Sequence, residues 1–231
     1  MKEGFVVKVN WLLFRKAILN NLHLLGVTNP KEFFYKAKKT YKLDLQSIPE
    51  YGKHDILKVN LIHAVMLGAI YKQCEQKPSI LALTEFYRAV LLSPNVVTWY
   101  LNKMDMLSPQ AIEKEIRQSE KSQHATHPYT WQYEISVENA DRYTATFSKC
   151  GIYEYLKNQG IPEVVPAMCA IDFTFAEMSN HYFTRNNTLA TQSSICDCHY
   201  VRKSAATEEE KAKFLEDQKN EAAKAKEIYK P

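Results

Sequence analysis

The chain has 231 residues, 45% of them hydrophobic and 24% charged, with a net charge of +4. That length can bury a substantial core, and that balance is the composition of a globular protein. The basic residues are interleaved with acids rather than gathered on one face, which argues against a nucleic-acid binder.

Residues 1–121 read as a helical half. In 9–26, Leu12, Phe14, Ile18, Leu22 and Leu25 recur at helical spacing and Gly26 is placed to close the helix. Asn29-Pro30 opens a second helix over 30–41. Residues 54–75 form the most apolar helix. Its apolar core, 59–71, is too short for a membrane span of about 20 residues, and it contains His63. The N-terminus has Lys8 and Asn10 inside its apolar stretch and no small-residue cleavage site, so a cytoplasmic protein without membrane contact is expected. Further helices are expected over 79–92, 94–106 and 108–121, the last two opened by Ser93-Pro94 and Ser108-Pro109. His124 and His127 read as solvated loop residues.

The pattern then changes. Tyr133, Ile135 and Val137 alternate with polar residues, 139–141 supplies turn chemistry, and Tyr143, Ala145 and Phe147 alternate again, which predicts a β-hairpin. Residues 150–160 look like a short helix closed by Gly160, and 162–183 like a longer helix. Residues 186–203 read as two strands around Gln192-Ser193-Ser194. From Thr207 onward the chain is a charged, alanine-rich helix with few apolar anchors, expected to fray or to pack on a partner. The expected class is α+β: one unit over 1–203, with 1–121 helical and 129–203 carrying an antiparallel sheet of about four strands and two inserted helices. A charged helical tail over 204–231 follows.

Six glycines, none close to another, rule out a dinucleotide fingerprint, a phosphate loop and a nucleophile elbow. HExxH and CxxC are absent. Cys74 falls in a helical pattern and reads as a small core residue. The other four cysteines, Cys150, Cys169, Cys196 and Cys198, fall within 49 consecutive positions. Cys169 and Asp172, three apart on a helix, share an inward face, and a buried carboxylate there must be paired or hydrogen-bonded. Either it serves chemistry or it tethers a neighbouring backbone. Cys150 opens a helix, which favours a thiolate; the alternative is a small residue packed at a junction. In 193-SSICDCHYV-201, period-two alternation puts Cys196, Cys198 and Tyr200 on one face and Asp197, His199 and Val201 on the other. The quartet Cys-Asp-Cys-His cannot therefore act as one local metal clip.

The segments 150–176 and 185–197 resemble the L-2-amino-thiazoline-4-carboxylic acid hydrolase family. They share with it a Cys opening a short helix (Cys150), a Gly-x-Pro junction (Gly160, Pro162), and a Cys-x-x-Asp helix (Cys169, Asp172). A Thr-Leu-Ala strand (Thr188 to Ala190) leading to Cys-Asp (Cys196, Asp197) completes the pattern. Two departures stand out. Thr191-Gln192-Ser193 replaces a turn that usually holds a glycine, and Cys198 replaces a usual aromatic.

The resemblance implies a hydrolase that opens a small cyclic amidine or amide. Water adds at the ring carbon between sulfur and nitrogen and gives a carbamoyl-cysteine. Such a step needs a nucleophile, a proton carrier and a handle for the substrate carboxylate. Under this implication Asp172 or Asp197 is the general base and a thiolate of Cys150, Cys169 or Cys196 the nucleophile. Arg185 and Thr188 are the candidate substrate-binding residues, with Arg185 gripping the substrate carboxylate. A variant has Cys150, Cys169 and Cys196 hold a divalent metal that activates water; the alternative needs no cofactor. A non-catalytic small-molecule or partner-binding protein on the same fold stays open, as does a homo-oligomer. A redox sensor built on Cys196 and Cys198 ranks last, because cysteines one residue apart on a strand form strained disulfides.

Overall fold

A computed structural model of the chain describes residues 1, 5–52, 54–97 and 105–229. Helix α1 (Phe5–Asn21) continues into a 3-10 turn over Leu22–Leu25, closed by Gly26 at φ 71°. Helix α2 (Pro30–Ser47) starts where Asn29 caps the Glu32 N–H. The side chains of Ser79 and Ser108 cap α4 (Ile80–Leu91) and α6 (Pro109–Ser122) in the same way, supplying acceptors to otherwise orphaned amides. Between α2 and α4 runs α3 (Lys58–Gln73), in which every residue from Leu61 to Tyr71 is buried. A helix apolar all round belongs at the centre of a helical layer. Its one imidazole, His63, is held neutral by burial, its pKa down to about 4, and bonds Asn10 at 2.9 Å.

Of the helix expected over 94–106, the described residues retain only the short turn α5 (Pro94–Val96); 98–104 lie outside them. His127 is buried rather than solvated. Its Nε2 lies 3.0 Å from the Pro49 carbonyl and its Nδ1 accepts from the Tyr129 N–H, so it ties two loops together. No helix among the described residues is long and apolar enough to cross a membrane.

The second half is built on a four-stranded antiparallel sheet of order β1-β2-β4-β3, with β1 Gln132–Asn139, β2 Arg142–Lys149, β3 His181–Thr184 and β4 Cys196–Arg202. The α+β class and the predicted hairpin hold. Two expectations fail. The helix expected over 162–183 is a 3-10 turn (Pro162–Val164), α8 (Val165–Cys169) and α9 (Ile171–Met178), after which the chain turns and enters β3. His181 to Thr184 is rich in aromatic and β-branched side chains, and it finds an open edge of β4 to pair with. Thr188-Leu189-Ala190 is not a strand but the entry to a 3-10 turn over Leu189–Thr191, which the Thr188 hydroxyl caps. The partner of β4 on this side therefore comes from earlier in the chain.

Helix α7 (Gly151–Asn158) follows β2 directly. A Cβ at Gly151 would sit 2.2 Å from the Tyr129 carbonyl oxygen, so only glycine lets the chain turn there and leaves Cys150 at the helix N-cap. The last helix, α10 (Glu208–Ile228), packs on its own chain rather than standing off as a tail. Phe214 is buried against Phe173 and Tyr182, and Asp217 and Glu221 are buried with it.

Candidate active site

One face of the sheet floors a cavity of about 690 Å³. Its rows follow from the register: Tyr133 opposite Phe147 opposite Cys196, then Ile135, Ala145 and Cys198, then Tyr143 opposite Tyr200. The start of α3 and faces of α6, α7, α8 and α9 close it from above. Cys150, Cys169, Asp172, Arg185, Thr188 and Cys196 all line this one cavity, although they come from five separate segments. Asp197 does not. It lies on the opposite strand face, where one carboxylate oxygen accepts from the Asn186 and Asn187 N–H groups at 3.0 and 2.7 Å. Those bonds keep it ionised and make it a tether for the 186–187 loop. Its neighbour on that face, His199, meets Thr144 at 2.9 Å.

Arg185 organises the polar end. Its side chain is almost wholly enclosed and lies against the rings of Phe173 and Phe183, 5.7 and 5.3 Å from their centroids. Nη1 donates to Asp172 Oδ2 at 3.2 Å and lies 4.0 Å from Cys196 Sγ; Nη2 donates to the Cys169 carbonyl at 3.3 Å and to Glu221. The Arg185 backbone N–H donates to Asp217 at 3.1 Å, and Lys213 neutralises Asp217 in turn. A buried cation with one carboxylate would be balanced. With both Asp172 and Glu221 this pocket end carries excess negative charge, and a third carboxylate from a ligand would meet repulsion there.

Asp172 keeps 40% of its side-chain surface free and lines the cavity. Burial raises its carboxyl to about 6 despite Arg185 beside it, and Glu221 adds to the rise. The four thiols divide sharply. Burial lifts Cys150 to about 12 and Cys169 well above the ordinary thiol range. Cys196 alone is held below it: the Cys198 thiol donates to it from 3.7 Å, and Arg185 and the Thr188 hydroxyl act in the same direction against burial. Cys198 is driven up correspondingly, since its proton is shared into the pair. The helix N-cap at Cys150 thus fails to produce a thiolate, because desolvation outweighs the two α7 amides that face its sulfur.

The metal variant does not fit the donors. Among the described residues no three His, Cys, Asp or Glu side chains are grouped to hold a metal ion, and the cation placed among Cys169, Asp172 and Cys196 is the guanidinium.

Three residues escaped the sequence reading. Asp217 and Glu221 sat inside a run of charges; their spacing from Phe214, three and seven positions, was the available sign of one inward helix face. Glu115, whose carboxylate accepts from the Tyr133 hydroxyl at 3.1 Å, lines the far side of the cavity and carried no motif.

A cavity that gathers a lowered thiol, a carboxyl poised near neutrality and a buried guanidinium is the equipment of a hydrolytic or acyl-transfer site. Residues 59–200 match the family model described as L-2-amino-thiazoline-4-carboxylic acid hydrolase, and the chain belongs to that family. No curated protein and no solved structure matches it.

Proposed function

We propose that the protein hydrolyses a small cyclic amidine or amide of the L-2-amino-thiazoline-4-carboxylate type, with Cys196 as nucleophile and Asp172 as proton carrier. The observation that carries this reading is the shared contact of both groups with one nitrogen, Arg185 Nη1.

The Cys196 thiolate attacks the ring carbon between sulfur and nitrogen. The new bond to Cys196 forms as the ring carbon–sulfur bond breaks, and the leaving sulfur takes the proton of the Asp172 carboxyl. Water then adds to the same carbon and gives one proton to the Asp172 carboxylate; its second proton passes to the former ring nitrogen as the carbonyl forms and the carbon releases the Cys196 thiolate. One water is consumed and a carbamoyl-cysteine leaves. A carboxyl near 6 suits both halves, because it is partly protonated and partly ionised around neutral pH. The amidine N–H groups are complementary to the free surface of Asp172, and the excess negative charge of this end favours a cationic ring. Arg185, whose Nη1 and Nη2 are engaged by Asp172, the Cys169 carbonyl and Glu221, serves as anchor of the acid and the thiolate rather than as the grip for the substrate carboxylate.

The test is incubation with L-2-amino-thiazoline-4-carboxylate and mass-spectrometric detection of carbamoyl-cysteine. Wild type forms product, and Cys196→Ser and Asp172→Asn lose at least a hundredfold. Undiminished turnover by Cys196→Ser would remove the thiolate route. Thermal stabilisation by the compound with no product would favour a binding protein on this fold.

A further inference from the structure

The cavity is larger than the reaction needs. A thiazoline carboxylate has about nine non-hydrogen atoms; granting each the roughly 30 Å³ of a water molecule still accounts for only about 270 Å³. The cavity holds about 690 Å³, a volume that fits a ligand of drug size. The surplus has a definite place and chemistry. From Cys196 the floor crosses β2 at Phe147 and reaches β1 at Tyr133. Two strand spacings make that about 10 Å. Phe147 and Tyr133 stack at 4.7 Å, and in the next row Ala145 and Cys198, both small, face each other and leave depth between the aromatic rows. At the far side Glu115 receives only the Tyr133 hydroxyl among the hydrogen bonds of the described residues, a neutral donor that leaves its charge unmatched. The cation that acts on it, Lys114, is exposed at the rim of the cavity. The cavity therefore has two acidic ends, Asp172 and Glu115, joined by an apolar floor.

We propose that the ligand of this site is a cyclic amidine or amide bearing an apolar, preferentially aromatic arm of about 10 Å that ends in a protonated amine held by Glu115. This rests on the reading of the Cys196–Asp172 end as the end that takes the ring. An aromatic arm matches the stacking surface of Phe147 and Tyr133. A terminal amine meets a carboxylate in a partly desolvated place, where such a bond is stronger than at the surface. An arm ending in a carboxylate would put like charges together at Glu115.

The experiment is calorimetric titration of the full chain with four probes. They are 2-amino-thiazoline-4-carboxylate and its 4-carboxamides carrying phenethyl, 4-(aminomethyl)phenethyl or 4-carboxyphenethyl arms. The aminomethyl probe should bind at least tenfold more tightly than the phenethyl probe, and that one more tightly than the bare carboxylate. Glu115→Gln should abolish the advantage of the amine and leave the phenethyl affinity unchanged. The proposal is overturned if the bare carboxylate binds as tightly as the armed probes, if the carboxyphenethyl probe equals or exceeds the amine, or if Glu115→Gln weakens both arms alike. Tight binding of the amine probe without ring opening would remove the reaction and keep this inference. Turnover of the bare carboxylate with no gain from the arms would do the reverse.

Discussion

Cys196 Sγ lies 3.7 Å from Cys198 Sγ, two side chains of one strand pointing to the same face. Of the two, Cys196, the sulfur that Arg185 approaches, is the one whose acidity is raised, and Cys198 keeps its proton more tightly. Replacing Cys198 by Ala removes the donor while changing little volume at a buried position. Cys196 should then become less acidic, and its labelling by iodoacetamide at pH 7, followed by intact-mass spectrometry, should slow about tenfold, the equivalent of one pKa unit. Labelling as fast as in the wild type would assign the acidity to Arg185 and Thr188 alone.

Asp172 carries a cost that can be read in stability. Its folded pKa, about 6, lies above its ordinary 3.8, so the folded state holds the proton more tightly than the unfolded chain. The penalty is absent below pH 4, grows as pH rises through 6 and is complete above it. Because the side chain is partly open to the cavity, the effect after solvent screening is on the order of 1 kcal/mol. Asp172→Asn should therefore melt about 2–4 °C higher than wild type at pH 8 and at the same temperature at pH 4, while losing turnover. Differential scanning calorimetry at the two pH values decides. A variant less stable at pH 8 would mean that the bond to Arg185 outweighs the burial.

Much of this site was legible in the chain and part of it was not. The hairpin and the two faces of β4 followed from strict period-two alternation, which a strand enforces and a helix does not. The sharing of a face by Cys169 and Asp172 survived even though their helix breaks between them, because Ala170 keeps helical dihedrals across the break. Strand β3 was missed because His181 to Thr184 is four residues long and continues an apolar run; only its pairing with β4, a contact with residues fifteen or more positions away, makes it a strand. The acidity ranking of the thiols was likewise invisible. Helix position favoured Cys150, but the depth of burial and the neighbours of Cys196 are properties of the assembled cavity.

Glu221 comes from α10, beyond the residues that match the family, and it completes the charge around Arg185. Glu221→Gln should lower the Asp172 pKa, because one of the two carboxylates sharing the guanidinium no longer repels the other. The limb of the pH–rate profile that Asp172 sets should move to lower pH, whereas simple loosening of α10 would reduce the rate at every pH without moving the limb. Breaking one of several bonds to a buried cation should also cost about 2–3 kcal/mol, at or below the lower range for losing a sole partner. Urea unfolding checks that figure alongside the profile.

The turn at Gln192 tests a departure from the family pattern directly. Gln192 takes φ 63° and ψ 17°, the left-handed region, in the turn where a glycine is usual. A residue with a Cβ costs roughly 1–2 kcal/mol there, and glycine returns that at an entropy cost of about 0.5–1 kcal/mol. Gln192→Gly should be neutral or stabilising by up to about 1 kcal/mol. Gln192→Val, β-branched at positive φ, should lose about 1–2 kcal/mol. Because Gln192 closes the turn that Thr188 opens, and the Thr188 hydroxyl faces Cys196, the valine variant should also slow Cys196 labelling. Chemical denaturation and the labelling rate of both variants provide the check. A glycine variant clearly less stable than wild type would show that the Gln192 side chain itself holds the turn.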